Sequence, residues 1–225
     1  MNRYLYVMLS GTDTCMGRLI RRFTPGDYNH VSLSLDAGLL EFVSFARYHM
    51  DVPLAGGYVK EPARRLLSTG SPLPVRIFRL SLTQEQAQKL ELLFAMAGNS
   101  DTGLIYNSLG ALFSPLGIPC HLPGSYTCLD FANLVLGCNC PNLLALGDLL
   151  ADYEIFRGDY TQLVYDSNPA TDPFFVSRGF WHGFGDTLSH FGKLFVRLTR
   201  LKRVRDPLLD YQLNILKNNE NAVPV

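Results

Sequence analysis

The sequence predicts an α+β fold in which an antiparallel sheet packs against helices, one of which begins at a cysteine. Residues 30–36 (HVSLSLD) alternate polar with apolar side chains, which is the pattern of a half-buried strand. Residues 128–136 (CLDFANLVL) place apolar side chains at i+4, i+7 and i+8 from Cys128, on one face of a helix. We therefore expect the apolar side of this helix to pack on the sheet.

Three further strands and another helix are predicted from local patterns. The strands cover residues 4–9, 39–46 and 75–80. A helix is expected to begin after Thr83, because Gln86 three residues later completes a capping box. The helix is expected to end near Gly98.

Length, composition and charge limit the classes of protein to consider. The chain has 225 residues, 47% of them hydrophobic, with Lys+Arg and Asp+Glu balanced at 20 each. A net charge of zero argues against a protein that is basic all over and binds nucleic acid. No apolar run approaches the roughly 20 residues of a membrane-spanning helix, and residues 4–9 are too short for a secretory signal. We therefore expect a cytoplasmic protein without a nucleic-acid partner, and membrane association stays open as an alternative. No cofactor is expected.

The five cysteines agree with a reducing compartment, because an odd number without a signal favours free thiols. A zinc site would have to combine Cys138 and Cys140 with Cys120 and His121. The C-x-C spacing is not the usual zinc spacing, and the sequence has no second matching pair. Free thiols are therefore favoured over a metal site.

Cys128 is the candidate nucleophile. It begins a predicted helix that Ser125 or Thr127 caps and Gly137 ends. Unpaired N–H groups and a partial positive charge at a helix start favour the thiolate, and the same groups stabilise an oxyanion. The alternative is that Cys128 is a small buried core residue, as free cysteines often are.

His30 is the candidate general base. It begins the strand predicted over residues 30–36, where it shares the more polar face with Ser32 and Ser34. An imidazole beside a thiol accepts the thiol proton and later returns it to the leaving group. The alternative is a strand-edge histidine that hydrogen-bonds a neighbour.

The two segments together, in this order, resemble the circularly permuted papain-like hydrolases of the NlpC/P60 superfamily. Residues 24–36 (TPGDYNHVSLSLD) are similar to the family pattern t-x-x-x-y-s-H-v-g/s-i-x-l-d, and residues 126–132 (YTCLDFA) to y-T-C-s-e-f-v. The histidine strand comes first here, as in the permuted branch with its bacterial lipoprotein-like and lecithin retinol acyltransferase-like members. The resemblance covers residues 1–165, the predicted catalytic domain, and implies a papain-like antiparallel sheet packed against the cysteine helix.

The same resemblance implies further elements in the predicted catalytic domain. These are a short helix over 17–23, a second short helix over 106–113, a closing helix over 141–150 and strands within 153–165. The Pro- and Gly-rich loop 114–124 is expected to line the cleft near Cys128.

The resemblance also implies a catalytic pair, Cys128 and His30, with a third polar residue that orients the imidazole. Glu41 is the first candidate for this role, because it opens the strand that follows His30. Ser44 and Glu61 are the alternatives, and relatives use histidine, glutamine or asparagine at this place.

Two tyrosines are candidates for an oxyanion or cleft role. Tyr28 and Tyr126 each lie two residues before the histidine or the cysteine, where a hydroxyl can approach the site. The alternative is that both rings simply pack.

Residues 166–225 lie outside the resemblance and form a predicted aromatic and basic C-terminal extension. Apolar residues recur there at helical spacing, with Lys193, Arg197 and Arg200 opposite them. The helix predicted over 188–205 lies either on an anionic membrane surface or against the catalytic domain with its basic side in solvent.

We predict a cysteine hydrolase that cleaves an amide or ester bond of a peptide-like or acyl substrate through an acyl-enzyme on Cys128, with His30 as base and then acid. One alternative is an acyltransferase or phospholipase-like enzyme that acts at a membrane surface. The other is a non-catalytic binding module that keeps the fold.

Overall fold

The computed structural model describes residues 3–13, 26–52, 54–67, 72–114, 118, 120–164, 172–199 and 206–218. It has an α+β architecture, an antiparallel sheet with several helices, which agrees with the predicted fold class. The short helix expected over 17–23, together with Cys15 and residues 200–205, lies outside the described residues.

Eight strands occur in the described residues, and six of them form one sheet. They are β1 (Arg3–Ser10), β2 (His30–Ser34), β3 (Glu41–Arg47), β4 (Gly56–Pro62), β5 (Pro74–Leu82), β6 (Ile105–Tyr106), β7 (Ser125–Tyr126) and β8 (Glu154–Asp159). The sheet order is β4-β3-β2-β1-β5-β8, with every neighbouring pair antiparallel, whereas β6 and β7 pair in parallel. The strands predicted over 4–9, 30–36, 39–46 and 75–80 are confirmed, with ends that differ by at most two residues.

Seven α-helices occur in the described residues. They are α1 (Ala63–Leu67), α2 (Gln84–Gly98), α3 (Ser108–Phe113), α4 (Cys128–Leu136), α5 (Leu143–Leu149), α6 (Phe180–Thr199) and α7 (Pro207–Asn218). The helices near 84–98, 106–113, 128–136 and 141–150 were predicted, whereas the helix predicted over 188–205 begins earlier, at Phe180, and two others were not predicted. The helix expected over 106–113 starts later because Tyr106 belongs to β6. Of the strands expected within 153–165, the described residues contain one, β8. A 3-10 helix at Tyr160–Gln162 follows it.

Both hydrogen bonds of the predicted capping box at the start of α2 are present. The Thr83 hydroxyl oxygen accepts the N–H of Gln86 at 3.2 Å, and the Gln86 side-chain oxygen accepts the N–H of Thr83 at 2.8 Å. Two N–H groups of the first turn therefore have partners, which is why the helix begins here.

Strand β1 runs through the middle of the core and is buried on both faces. Leu5, Val7 and Leu9 belong to one hydrophobic cluster, and the alternate residues Tyr6 and Met8 belong to a second. The first cluster contains the apolar side of α4, and the second contains Tyr160 and Leu66. The sheet is therefore covered on both sides in the described residues.

An aromatic cluster fixes α4 on the sheet. The ring of Phe131, one turn after Cys128, lies 5.2 Å from the ring of Phe45 on β3 and 6.0 Å from that of Tyr58 on β4. Phe94 of α2 packs on the same ring at 5.9 Å. This packing holds the first turn of α4 against the strands.

The C-terminal part contributes to the same core. Leu194 of α6 and Leu208 of α7 are both fully buried. Leu194 packs with Ile105 and Leu122, and Leu208 joins the cluster that contains α4. Residues from both sides of position 165 thus pack together. That the two parts are separate domains stays a prediction. Among the described helices, none combines the length and the apolar character needed to cross a membrane.

Candidate active site

Cys128 is the first residue of α4, and a capping box holds the helix start. The Thr127 hydroxyl oxygen accepts the N–H of Asp130 at 3.0 Å, while the Asp130 carboxylate accepts the N–H and the hydroxyl of Thr127 at 2.9 and 2.8 Å. Of the two predicted caps, Thr127 is therefore the one used, and Ser125 instead donates to the carbonyl of Leu122. Helix geometry gives the N–H groups of Cys128 and Leu129 no acceptor within the helix, which leaves these two available to an oxyanion.

Gly137 ends α4 as predicted. Its φ of 69° lies in the left-handed region, and its N–H bonds the carbonyls of Asn133 and Leu134. A glycine suits this position because it has no Cβ to clash in that conformation.

His30 and Glu61 form a buried ion pair. The His30 Nε2 atom donates to the two carboxylate oxygens of Glu61 at 3.0 and 2.9 Å. Their side chains are only 13% and 5% exposed. A pair in this environment is much less screened by solvent than a surface pair.

The ion pair shifts the pKa values of both partners. Burial alone would lower the pKa of His30, but the charge of Glu61 and the adjacent Cys128, which also hydrogen-bonds the imidazole, raise that pKa to about 10. Burial likewise opposes ionisation of Glu61, yet His30 and then Arg65 hold the pKa of its carboxyl below the usual range. The Glu61 carboxylate thus favours the imidazolium form of His30.

The expectation that Glu41 orients His30 is wrong in its geometry. Glu41 lies at the exposed start of β3, and its carboxylate pairs with Lys60 on β4 at 2.9 Å. An exposed side chain held there cannot reach an imidazole that is buried. Glu61, one of the two alternatives, contacts His30 instead, and Ser44, the other, is buried beside Glu61 and helps to lower its pKa.

The loop before His30 is held by a buried asparagine that the sequence analysis did not single out. The Asn29 side-chain oxygen accepts the N–H and the hydroxyl of Thr12 at 3.0 and 2.9 Å, and its amide donates to the Thr12 carbonyl at 2.8 Å. The N–H of Asn29 also bonds Ser10 of β1. These contacts fix the direction from which His30 enters the site.

Cys128, His30 and Glu61 lie on the wall of one cavity of about 160 Å³. The cavity is also lined by Tyr28, Arg47, Arg65, Tyr106, Leu143 and Phe174. The predicted cleft loop 114–124 contributes Ser114, while residues 115–117 and 119 lie outside the described residues.

The two candidate tyrosines differ in position. Tyr28 lines the cavity, where burial raises the pKa of its phenol. Tyr126 is buried against Phe45, and its hydroxyl donates to Asp206 at 2.7 Å, so that hydroxyl is already engaged. Tyr106, which the sequence analysis missed, lines the cavity, and burial together with Cys128 raises its pKa. Its two-residue strand carries no pattern that marks a site.

A segment of the C-terminal extension closes another part of the cavity. The Arg65 guanidinium lies 4.2 Å from the centre of the Phe174 ring, with Arg47 5.8 Å from the same ring. The segment is held by the N–H of Met50, which bonds the Phe174 carbonyl at 2.9 Å, and by an ion pair of Asp172 with Arg64 at 3.6 Å. The cavity wall therefore combines cationic and aromatic groups.

The cysteines outside the cavity have local partners. The Cys138 thiol donates to Asn133 Oδ1 at 3.2 Å and lies 4.0 Å from the Cys140 sulfur, while His121 pairs with Asp130 at 3.4 Å. Within the described ranges, no three His, Cys, Asp or Glu side chains are grouped as metal ligands.

No family model, no curated protein and no solved structure matches this chain. The resemblance to the permuted NlpC/P60 hydrolases therefore rests on the His30 and Cys128 segments.

Proposed function

We propose that the protein is a cysteine hydrolase with a permuted papain-like fold, in which Cys128 attacks an amide or ester carbonyl, His30 transfers protons and Glu61 orients His30. The observation that carries this proposal is the contact chain from Glu61 through His30 to Cys128 on one cavity wall. A nucleophile, a base and an orienting carboxylate in this order are the parts that acyl transfer requires.

The roles of the two imidazole nitrogens follow from their partners. Nε2 is engaged by Glu61, so Nδ1 is the nitrogen left to exchange a proton with the Cys128 thiol. Proton transfer to His30 gives a thiolate and an imidazolium, and the buried carboxylate of Glu61 stabilises the imidazolium.

In the first half of the reaction, the Cys128 sulfur bonds to the substrate carbonyl carbon. The oxyanion accepts hydrogen bonds from the Cys128 N–H and a neighbouring N–H at the start of α4. The bond from carbon to nitrogen or oxygen then breaks, and His30 gives its proton to the leaving group.

In the second half, water hydrolyses the thioester. His30 takes a proton from the water, whose oxygen bonds to the carbonyl carbon. The carbon–sulfur bond breaks, the Cys128 sulfur recovers the proton through His30, and a carboxylic acid leaves.

The cavity has room for the reacting end of a substrate but not for a whole large ligand. Its volume of about 160 Å³ is below the roughly 300–1,000 Å³ of pockets that enclose drug-sized ligands. Its wall includes the apolar Leu143 and Phe174 with the cations Arg47 and Arg65. A peptide-like or acyl group next to a negatively charged or polar group suits such a wall.

A second candidate function is acyl transfer or lipid hydrolysis at a membrane surface. The large exposed side chains of α6, such as Phe180 and Trp181, favour it. It uses the same thioester on Cys128 but takes the acyl group from a lipid, and in the acyltransferase form an alcohol or amine replaces water.

The test is the rate at which iodoacetamide labels each cysteine, followed by mass spectrometry across pH. We expect Cys128 to react fastest at pH 7, because a neighbouring imidazolium favours the thiolate. Cys120 and Cys140 serve as internal controls, since burial and the charge of Asp130 raise the pKa of Cys120, and burial with the neighbouring Cys138 raises that of Cys140 to about 11.

The variant His30→Gln, checked for folding by circular dichroism, should slow Cys128 labelling and ester turnover by about 10²-fold or more. A small activated ester such as 4-nitrophenyl acetate should leave an acyl group on Cys128, detectable by peptide mass. Labelling of Cys128 no faster than that of Cys120 would instead favour the non-catalytic binding module.

A further inference from the structure

Helix α6 packs on the rest of the chain through a face that is mostly polar or small. Its buried and half-buried residues recur at helical spacing and are Gly183, Asp186, Thr187, His190, Leu194 and Arg197. His190 Nε2 donates to the Tyr106 carbonyl at 2.8 Å, and the Arg197 guanidinium donates to the carbonyls of Gly103 and Pro123. Hydrogen bonds and a single leucine therefore make this contact.

The opposite face of α6 is apolar and exposed. It consists of seven residues that we call the aromatic face: Phe180, Trp181, Phe184, Leu188, Phe191, Phe195 and Leu198. Their exposed fractions run from 39% for Phe191 to 78% for Trp181. At the α-helical rotation of roughly 100° per residue, all seven fall within an arc of about 100°.

This arrangement is the reverse of an ordinary surface helix, which buries its apolar stripe and exposes its polar side. As in one alternative from the sequence, α6 packs on the predicted catalytic domain and Lys193 is exposed, but its apolar side does not make the contact. The aromatic face exposes on the order of several hundred Å² of apolar surface, and patches of that size mark interaction sites.

Charge distinguishes two candidate partners of the aromatic face, a second copy of this chain and an anionic lipid surface. Residues 187–205 contain six Lys or Arg residues and no Asp or Glu. A second copy of this chain would bring the same positive charge against itself, whereas an anionic lipid surface complements it. Within α6, Lys193 and Arg197 lie opposite the aromatic face, and the other four cations follow the helix directly in the sequence. A helix with Trp, Phe and Leu on one side and a basic segment next to it in the chain is typical of one that lies in the headgroup region of a bilayer.

We propose that α6 docks the protein onto an anionic membrane surface through the aromatic face, with the helix axis parallel to the surface. The aromatic face extends from Phe180 to Leu198, a length of about 27 Å at the rise of an α-helix. The helix therefore lies along the bilayer for its whole length. The proposal does not depend on the catalytic one, because it concerns binding alone. His190 joins the docked helix to Tyr106 on the cavity wall.

The experiment uses Trp181, which is the only tryptophan in the chain and is 78% exposed. The full-length protein is mixed with vesicles of phosphatidylcholine alone or of phosphatidylcholine with phosphatidylglycerol. We expect a blue shift of Trp181 fluorescence with the anionic vesicles, which weakens as salt is added. Flotation of the protein with the same vesicles measures its affinity.

Phe184→Glu should weaken vesicle binding by about tenfold or more, because a carboxylate would have to enter the interface next to anionic lipid. The matched control is Leu92→Glu on α2, since Leu92 is 57% exposed and Phe184 is 56% exposed. The control should bind as the wild type does.

Three results would overturn the proposal. The first is no fluorescence shift with either kind of vesicle. The second is a blue-shifted Trp181 without lipid in a protein whose mass by sedimentation doubles with concentration, which would assign the aromatic face to a second copy. The third is a blue-shifted Trp181 in a lipid-free monomer, which would assign the face to another segment of this chain.

Discussion

At the scale of single residues, the candidate site is decided by which carboxylate is buried. Glu41 and Glu61 are both glutamates of neighbouring strands, and the local pattern favours Glu41 because it follows His30 more closely. Glu41 is exposed and pairs with Lys60, whereas Glu61 is buried and pairs with His30. The partner of a buried side chain depends on how the strands pack in the tertiary structure, which no spacing in the sequence encodes.

The ion pair makes a pH-dependent contribution to stability. The folded pKa of His30, about 10, lies above its ordinary 6.5, so its contribution is complete below about pH 6.5 and is lost as pH rises toward 10. The folded pKa of Glu61 lies below its ordinary 4.5, so its contribution is present above about pH 4.5 and is lost as pH falls through the folded value. The pair therefore stabilises most between about pH 4.5 and 6.5.

We predict that Glu61→Gln lowers the free energy of unfolding by a few kcal/mol near pH 6, because it leaves the His30 charge buried without its partner. The difference from the wild type should shrink as pH rises toward 10. Urea unfolding followed by circular dichroism at several pH values measures it. Glu41→Gln, the control, should change stability by less than about 0.5 kcal/mol, since exposed ion pairs contribute little. An equal loss in the two variants would contradict the buried pair.

At the scale of elements, the start of α4 connects stability to the position of Cys128. The Thr127–Asp130 capping box holds the first turn, and the ring of Phe131 packs that turn on β3 and β4. The sequence predicted both the helix and a cap at Ser125 or Thr127, because capping is a local interaction between residues three apart. It did not predict the aromatic packing, which involves residues distant in the chain.

Thr127→Ala and Thr83→Ala form a matched pair, because both residues cap a helix through a capping box. Each substitution should cost about 1 kcal/mol of folding stability. Only Thr127→Ala should also slow iodoacetamide labelling of Cys128, since only this cap positions the thiol. If Thr83→Ala slowed the labelling equally, the effect would be one of general stability.

At the scale of the whole molecule, the C-terminal extension and the predicted catalytic domain share a core and a site. Phe174 forms part of the cavity wall, Asp206 accepts the hydroxyl of Tyr126, and Leu194 and Leu208 are fully buried. The aromatic face of α6 points outward from this shared core. The extension thus contributes to the cavity on one side and exposes an apolar surface on the other.

We predict that Leu208→Ala lowers the free energy of unfolding by about 2–5 kcal/mol and that the chain still unfolds in one transition. The neighbouring Leu209, which is 46% exposed, provides the control, and Leu209→Ala should cost less than about 0.5 kcal/mol. Two separate transitions, with only one affected by Leu208→Ala, would instead support the predicted boundary at residue 165. Differential scanning calorimetry distinguishes these outcomes.

The sequence by itself determined the features that depend on neighbours in the chain. These are the α+β class, the strands around β1 and β2, the capping box at Thr83, a cap at Ser125 or Thr127, and the helix that begins at Cys128. Periodicity and capping act over two to four residues, so they are legible without a structure.

Only the tertiary structure decided the features that depend on distant contacts. It selected Glu61 over Glu41, brought Phe174 and Tyr106 to the cavity wall, and turned the aromatic face of α6 away from the core. An amphipathic pattern shows that a helix has two faces but not which face meets the protein. Burial and buried electrostatics make that choice, and both arise from the packing of segments that are far apart in the chain.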